Sequence, residues 1–313
     1  MNTFIILAIG TLLVPQGPNK PTLVGDTLIL NNGSAVRMGI TAQDMESLIY
    51  GLEALPGLSP HRVGDMKVHT SITLNSLMDS GAYQLQSEIA RQWRDEKAGV
   101  RVRIDLKVYD KAIDAESWVT SFIRGSSSAL MKRNSAEGRK LGNASCTNSL
   151  KTGTSIHVAM GRAVFTVWAT APGPGKSMPD SLAEMGAAKT AEALAYGLVH
   201  ELSRRPEIAG GESLSRKFGQ TWLGPADGLG SISSTLTLSL PALQKLGLTS
   251  KWKGMNIELG FGGKTAKTRL FSSELEIDGK KESMSMPVVL GFSGPVVPVL
   301  KVLRALGVPG QGN

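Results

Sequence analysis

The sequence predicts an α+β protein: an N-terminal antiparallel sheet with helices on one face, followed by a small α/β module. Three observations predict it. Val100–Tyr109 (VRVRIDLKVY) alternates apolar and polar residues without a break, the period of a strand with one buried and one wet face. Around it the chain reads helix, strand, helix, hairpin, helix, an order that suits helices layered on an antiparallel sheet. Nearer the C-terminus, a short helix-like segment ending in Leu-Gly occurs twice, at Gly247 and Gly307.

The composition agrees with a folded chain. Among 313 residues, 41% are hydrophobic and 19% charged, which excludes a wholly disordered protein. The length has room for at least two domains. A single cysteine, Cys146, excludes a disulfide framework and a multi-cysteine metal cluster.

Taken in order, Phe4–Val14 is an apolar run followed by Pro15, Gln16, Gly17 and Pro18. It is too short to span a bilayer, which needs about 20 such residues, and has the pattern of a secretory leader, residues 1–18. Residues around Asn31, Asn32 and Gly33 read as a hairpin. Thr41 stands as the N-cap of a helix carrying Met45, Leu48, Ile49, Leu52 and Leu55, stopped by Pro56-Gly57. A second helix is expected over Tyr83 to Glu96. After the strand at Val100–Tyr109, Asp110 can cap a helix through Ile113, Trp118, Phe122 and Ile123. Residues 125–145 are polar and read as a loop. A hairpin turns at Gly161, and Asp180 opens the longest helical stretch, which runs past Leu194, Leu198 and Leu202.

These elements set the expected boundaries. An α+β domain covers 19–206, a Gly/Ser-rich linker 207–231, a small module 232–308 and a flexible tail 309–313. In the module, LSLPALQKLG and VVPVLKVLRALG bracket WKGMNIELGF, KTRLFSSELEIDGKK and SMSMPVVLGF, which read as strands joined by Gly-containing turns. This is an internal repeat with one full unit between its marks.

Those residues resemble the copper amine oxidase N-terminal-like domain, a small α/β module of exported bacterial proteins. The resemblance rests on Leu246-Gly247, Trp252 five residues later, the turn Ile277-Asp278-Gly279-Lys280, and Val297-Pro298 with Ala305-Leu306-Gly307. It covers about a quarter of the chain. Leu300 and Arg304 depart from the family pattern, which has an arginine and an acidic residue there. The resemblance implies a stalk-like structural or binding role and no oxidase activity. Copper in such oxidases takes several histidine ligands and the redox cofactor derives from a tyrosine. His61, His69, His157 and His200 all lie outside 232–308, and the last tyrosine is Tyr196.

Other chemistries are weakly represented. Gly263-Lys264-Thr265 matches the end of a phosphate-binding loop, but Glu258 occupies the position of its first glycine, so no nucleotide is expected. His200-Glu201 are adjacent and lack the spacing of a helical metal pair. Gly291-Phe292-Ser293-Gly294 is one residue short of a nucleophile elbow. Cys146 reads as small buried packing. No catalytic, cofactor-binding or metal-ligating residue is predicted.

Charge is the strongest remaining signal. The formal net charge is +8, and residues 101–150 and 251–313 each carry 9 basic against 5 acidic groups. Arg101, Arg103 and Lys107 project from the wet face of one predicted strand and are the candidate anion-contacting residues. A solvated face partly neutralised by Asp105 is the plain alternative. The expected function is that of an exported, non-catalytic envelope protein, secreted or held in the envelope, acting by binding or scaffolding. Its expected partner is an anionic envelope polymer or another envelope protein, and no membrane span follows the leader. Two rivals are a wall-directed hydrolase using an unidentified carboxylate pair and a basic nucleic-acid binder. The second is disfavoured because aromatics make up only 5% of residues, too few for a base-stacking platform.

Overall fold

The computed structural model describes residues 22–24, 27–29, 35–37, 59–61, 67–68, 85–95, 100–109, 111–125, 131–134, 138–150, 153–170, 186–291 and 294–309. The leader, the helix expected after Thr41, His69, Asp110 and Asp180 lie outside them. Strands β1 (Thr22–Val24), β2 (Thr27–Ile29) and β3 (Ala35–Arg37) form a small antiparallel sheet, in which β2 and β3 flank the predicted turn at Asn31–Gly33.

The main sheet is antiparallel throughout. It contains β4 (Ser59–His61), β5 (Lys67–Val68), β6 (Leu85–Asp95), β7 (Val100–Tyr109), β8 (Met131–Arg133), β9 (Ala144–Leu150), β10 (Gly153–Met160) and β11 (Ala163–Thr170). Its order is β4-β6-β7-β11-β10-β9-β8, with β5 also paired to β6. Strand β7 forms where expected, with Val102, Ile104, Leu106 and Val108 buried and the charged residues on the other face, but that face is not wet throughout: Arg103, Asp105 and Lys107 are half-buried and Tyr109 is buried. The β10–β11 hairpin turns at Gly161, also as expected.

Two expectations here are corrected. Residues 85–95 form strand β6, whereas a helix was expected over Tyr83 to Glu96. Leu85, Ile89 and Trp93 recur every four residues, a spacing compatible with a helix turn and also with twice the strand period. The ten-residue ladder with β7 decides between them, since the β7 backbone needs a partner along its length. The polar segment 125–145 also contains β8, which pairs with β9, and buries Leu141 completely.

Helices cover both faces of this sheet, correcting the expectation of one. Helix α1 (Ala112–Gly125) sets Ala115 and Val119 against Cys146, Ala159 and Val164. Asp114 in its first turn and Arg124 in its last complement the helix dipole. Helix α2 (Gly186–Ser203) lies on the opposite face, among Ile156, Val158, Phe165 and Val167. Every residue of α2 from Thr190 to Leu202 is buried, because a second sheet packs on its far side. A helix enclosed on all sides must be apolar or internally satisfied all round.

That second sheet consists of β14 (Leu229–Ile232), β15 (Thr235–Ser239), β21 (Val289–Gly291) and β22 (Gly294–Pro298), in the order β14-β15-β22-β21. Residues 207–231, read from composition as a linker, hold ordered elements. They include most of the one-turn α3 (Pro206–Ala209) and all of the hairpin β12 (Arg216–Phe218) and β13 (Thr221–Leu223). Ile208, Phe218, Leu223 and Leu229 from this segment join the same core as the main sheet and the C-terminal elements.

The internal repeat is built twice over. Strand β15 runs into α4 (Leu240–Lys245), and β22 into α5 (Val299–Leu306). The two strands pair antiparallel, with Leu238 opposite Val297. Both helices end identically: Gly247 N–H donates to Gln244 O and Leu248 N–H to Leu243 O, while Gly307 N–H donates to Arg304 O and Val308 N–H to Leu303 O. This termination uses a left-handed residue, and Gly247 (φ 84°) and Gly307 (φ 74°) supply it. Between the units runs a five-stranded antiparallel meander: β16 (Thr249–Lys253), β17 (Asn256–Phe261), β18 (Lys264–Arg269), β19 (Glu274–Ile277) and β20 (Lys280–Ser283). The β19–β20 turn places Asp278 (φ 50°) and Gly279 (φ 77°) in the left-handed region, as a tight hairpin requires.

Candidate functional site: a charged groove on the C-terminal sheet

Alternation decides which side chains of the meander reach solvent. Ile257, Leu259, Ala266, Thr268 and Leu275 are buried, and their strand neighbours Asn256, Glu258, Lys267, Arg269, Glu274 and Glu276 take the other face. The antiparallel register then places Lys251 opposite Glu258, Glu258 opposite Lys267, Lys267 opposite Glu276, and Glu276 opposite Lys281. One row of side chains therefore alternates in charge across all five strands. A second row on the same face puts Lys253 opposite Asn256 and Asn256 opposite Arg269. Together with Ser272 and Glu274 these rows line a groove of about 500 Å³.

The groove carries five basic and three acidic side chains. Lys281 Nζ lies 3.1 Å from Glu274 Oε2 and Lys251 Nζ 3.8 Å from Glu258 Oε1. These exposed pairs are individually weak. Lys253, Lys267 and Arg269 are exposed and have no ion-pair partner among the described residues. Sequence reading identified the basic excess of residues 251–313 and these strands, but not their shared face. The available signal was alternation within each strand, as in Lys251/Lys253 and Lys267/Arg269.

The candidates Arg101, Arg103 and Lys107 do share one face of β7, each in a different setting. Arg103 Nε donates to both Asp105 oxygens, at 2.8 and 3.1 Å. Lys107 Nζ stands 5.4 Å from the Trp118 ring centroid, a cation–π contact with α1. Arg101 is exposed, and its backbone is tied to Thr170 Oγ1 at 2.8 Å.

The strongly shifted titratable groups lie in the core. His157 is held between Ser155 Oγ (3.1 Å) and Thr166 Oγ1 (2.9 Å), under the Phe122 ring at 4.3 Å. Burial pushes its pKa down to about 4. His200, on α2, is fully enclosed, and burial, reinforced by the Arg204 charge, lowers its pKa to about 3. Its Nδ1 lies 2.7 Å from Thr237 Oγ1, and its Nε2 has no partner among the described residues. The economical tautomer protonates Nδ1, which donates to Thr237 and leaves at Nε2 a lone pair rather than a buried N–H. The adjacent Glu201 instead holds Arg204 at 2.7 Å.

Cys146 is fully buried, and burial pushes its thiol up to about 11. The thiolate is the reactive form, so native protein at pH 8 is expected to leave Cys146 unlabelled by a disulfide-exchange chromophore, with one thiol released on unfolding in guanidinium. Stoichiometric labelling of the native state would contradict this. Among the described residues no group of three His, Cys, Asp or Glu side chains could hold a metal ion, and no helix is long and apolar enough to cross a membrane. No protein-family model, curated protein or solved structure matches the chain.

Proposed function

We propose that this is an exported envelope protein that acts by binding, without catalysis of its own, and that the outer face of β16–β20 contacts an anionic polymer of the envelope. The observation that carries this reading is the groove in which Lys253, Lys267 and Arg269 stand on a five-stranded sheet without ion-pair partners among the described residues. Fixed cations on a strand framework meet an anion without first being extracted from internal pairs. Export rests on the apolar run Phe4–Val14. The likeness of residues 232–308 to the copper amine oxidase N-terminal-like domain supports a stalk-like role for the unit carrying the groove. Its paired strand–helix repeat fits a stiff spacer.

The test is retention of the full chain on an anionic matrix across a salt gradient. Exposed ion pairs contribute up to about 1 kcal/mol each and weaken with salt. Replacing Lys253, Lys267 and Arg269 together by glutamine is therefore expected to weaken binding about tenfold at low salt, with folding unchanged by circular dichroism. Retention unaffected by the triple substitution would refute the reading.

A further inference from the structure

We infer that the groove recognises a linear acidic polysaccharide bearing one carboxylate per disaccharide, lying across the strands of β16–β20; this rests on the anion-binding reading above. Spacing and alternation of charge on this face both point to such a ligand. Neighbouring strands lie about 4.8 Å apart, so side chains on alternate strands of one row are separated by about 9.6 Å. Lys251, Lys267 and Lys281 occupy β16, β18 and β20 in one row, and Lys253 and Arg269 occupy β16 and β18 in the next. The cationic positions therefore recur on every second strand. Between them in the first row stand Glu258 and Glu276, and in the second Asn256.

A chain with closely spaced anions does not suit this pattern, because each interposed glutamate would oppose an anion. Nucleic acid has dense, evenly spaced phosphates and gains affinity by stacking bases on aromatic rings. The described lining contains no aromatic residue. An anionic lipid surface would likewise set headgroups against the glutamates. A polysaccharide that alternates an acidic sugar with a neutral one matches both sets of groups. Its carboxylates face Lys and Arg, and the hydroxyls of its neutral sugars donate to Glu258 and Glu276 or bond with Asn256, whose amide both donates and accepts.

The two charge classes give opposite predictions, which makes the idea testable on the full chain. Hyaluronan supplies one carboxylate per disaccharide, polygalacturonate one per sugar, and a single-stranded oligothymidylate one phosphate per nucleotide. The wild-type protein is expected to prefer hyaluronan, and the Lys253→Gln/Arg269→Gln variant to bind it about tenfold more weakly. The Glu258→Gln/Glu276→Gln variant should bind hyaluronan more weakly yet gain affinity for polygalacturonate and oligothymidylate, because the repulsive carboxylates are gone. Equal binding of all three polymers by wild type, or uniform strengthening by the glutamate substitutions, would overturn the spacing argument while leaving general anion binding intact. Failure to bind any of the three would overturn both.

Discussion

Acidification from pH 7 to 4.5 is expected to cost this protein about 5 kcal/mol of stability through two buried histidines. His157 and His200 are neutral in the fold, with pKa values lowered to about 4 and about 3, against 6.5 for the free group. In both cases burial is the main cause. A lowered folded pKa means that the unfolded chain takes up the proton first. The stabilisation is therefore fully present above pH 6.5 and is lost progressively as pH falls toward the folded values. Each pH unit below 6.5 costs about 1.4 kcal/mol per site, hence about 2.5 kcal/mol for each by pH 4.5. The sum is comparable to the net stability of many domains. Asp227, whose carboxyl is lowered chiefly by its hydrogen bond from Lys245, acts in the same direction at lower pH.

Urea unfolding at intervals between pH 7.5 and 4.5 would show the effect as a steepening loss of stability that approaches two protons taken up on unfolding. His157→Gln retains hydrogen-bonding capacity toward Ser155 and Thr166 and removes one titrating group. Its slope should fall to about one proton. A flat profile through this range would mean that water or alternative partners reach these rings in the folded state.

The elements that could be read from sequence are those whose partners matter least. Strand β7 announces itself through ten alternating residues, and the Asp278-Gly279 turn through residues that tolerate positive φ. The repeated strand–helix unit is marked by Pro241 and Gly247 in one copy and Pro298 and Gly307 in the other. Strand β6 is ambiguous in sequence because a four-residue spacing fits helix and strand alike, and its pairing with β7 resolves the ambiguity. Enclosure of α2 was hidden for a related reason. TAEALAYGLVHEL gains its second cover from β14 and β21, strands that lie well beyond it in sequence. The groove is likewise a product of register: a shift of one residue in β18 would turn Lys267 and Arg269 inward. Local periodicity locates strands, but the chemistry of this face depends on how five of them align.

Gly197→Ala is expected to destabilise the protein by about 2–3 kcal/mol and lower its melting temperature by about 5–10 °C. Helix propensity alone predicts the opposite sign, since alanine in a helix interior is favoured over glycine by about 1 kcal/mol. The packing overrides it. A Cβ at Gly197 would lie 2.0 Å from Leu290 O and 2.9 Å from Leu290 C, both backbone atoms of β21 that cannot rotate away. Relief requires α2 to back off from the second sheet, and two further close approaches resist that movement. A Cβ at Gly230 would lie 2.6 Å from His200 Nδ1, and one at Gly291 2.4 Å from Glu201 Oε1. Helix and sheet thus meet through glycines on both sides, in register with the buried His200–Thr237 hydrogen bond. Gly125→Ala at the exposed end of α1, where no described residue lies within 4 Å of the new methyl, serves as the control and should change stability by less than about 0.5 kcal/mol. Thermal denaturation of the two variants beside wild type separates the explanations: a raised melting temperature for Gly197→Ala would mean that α2 does not sit this close to β21, and that the enclosure of His200 is looser than described.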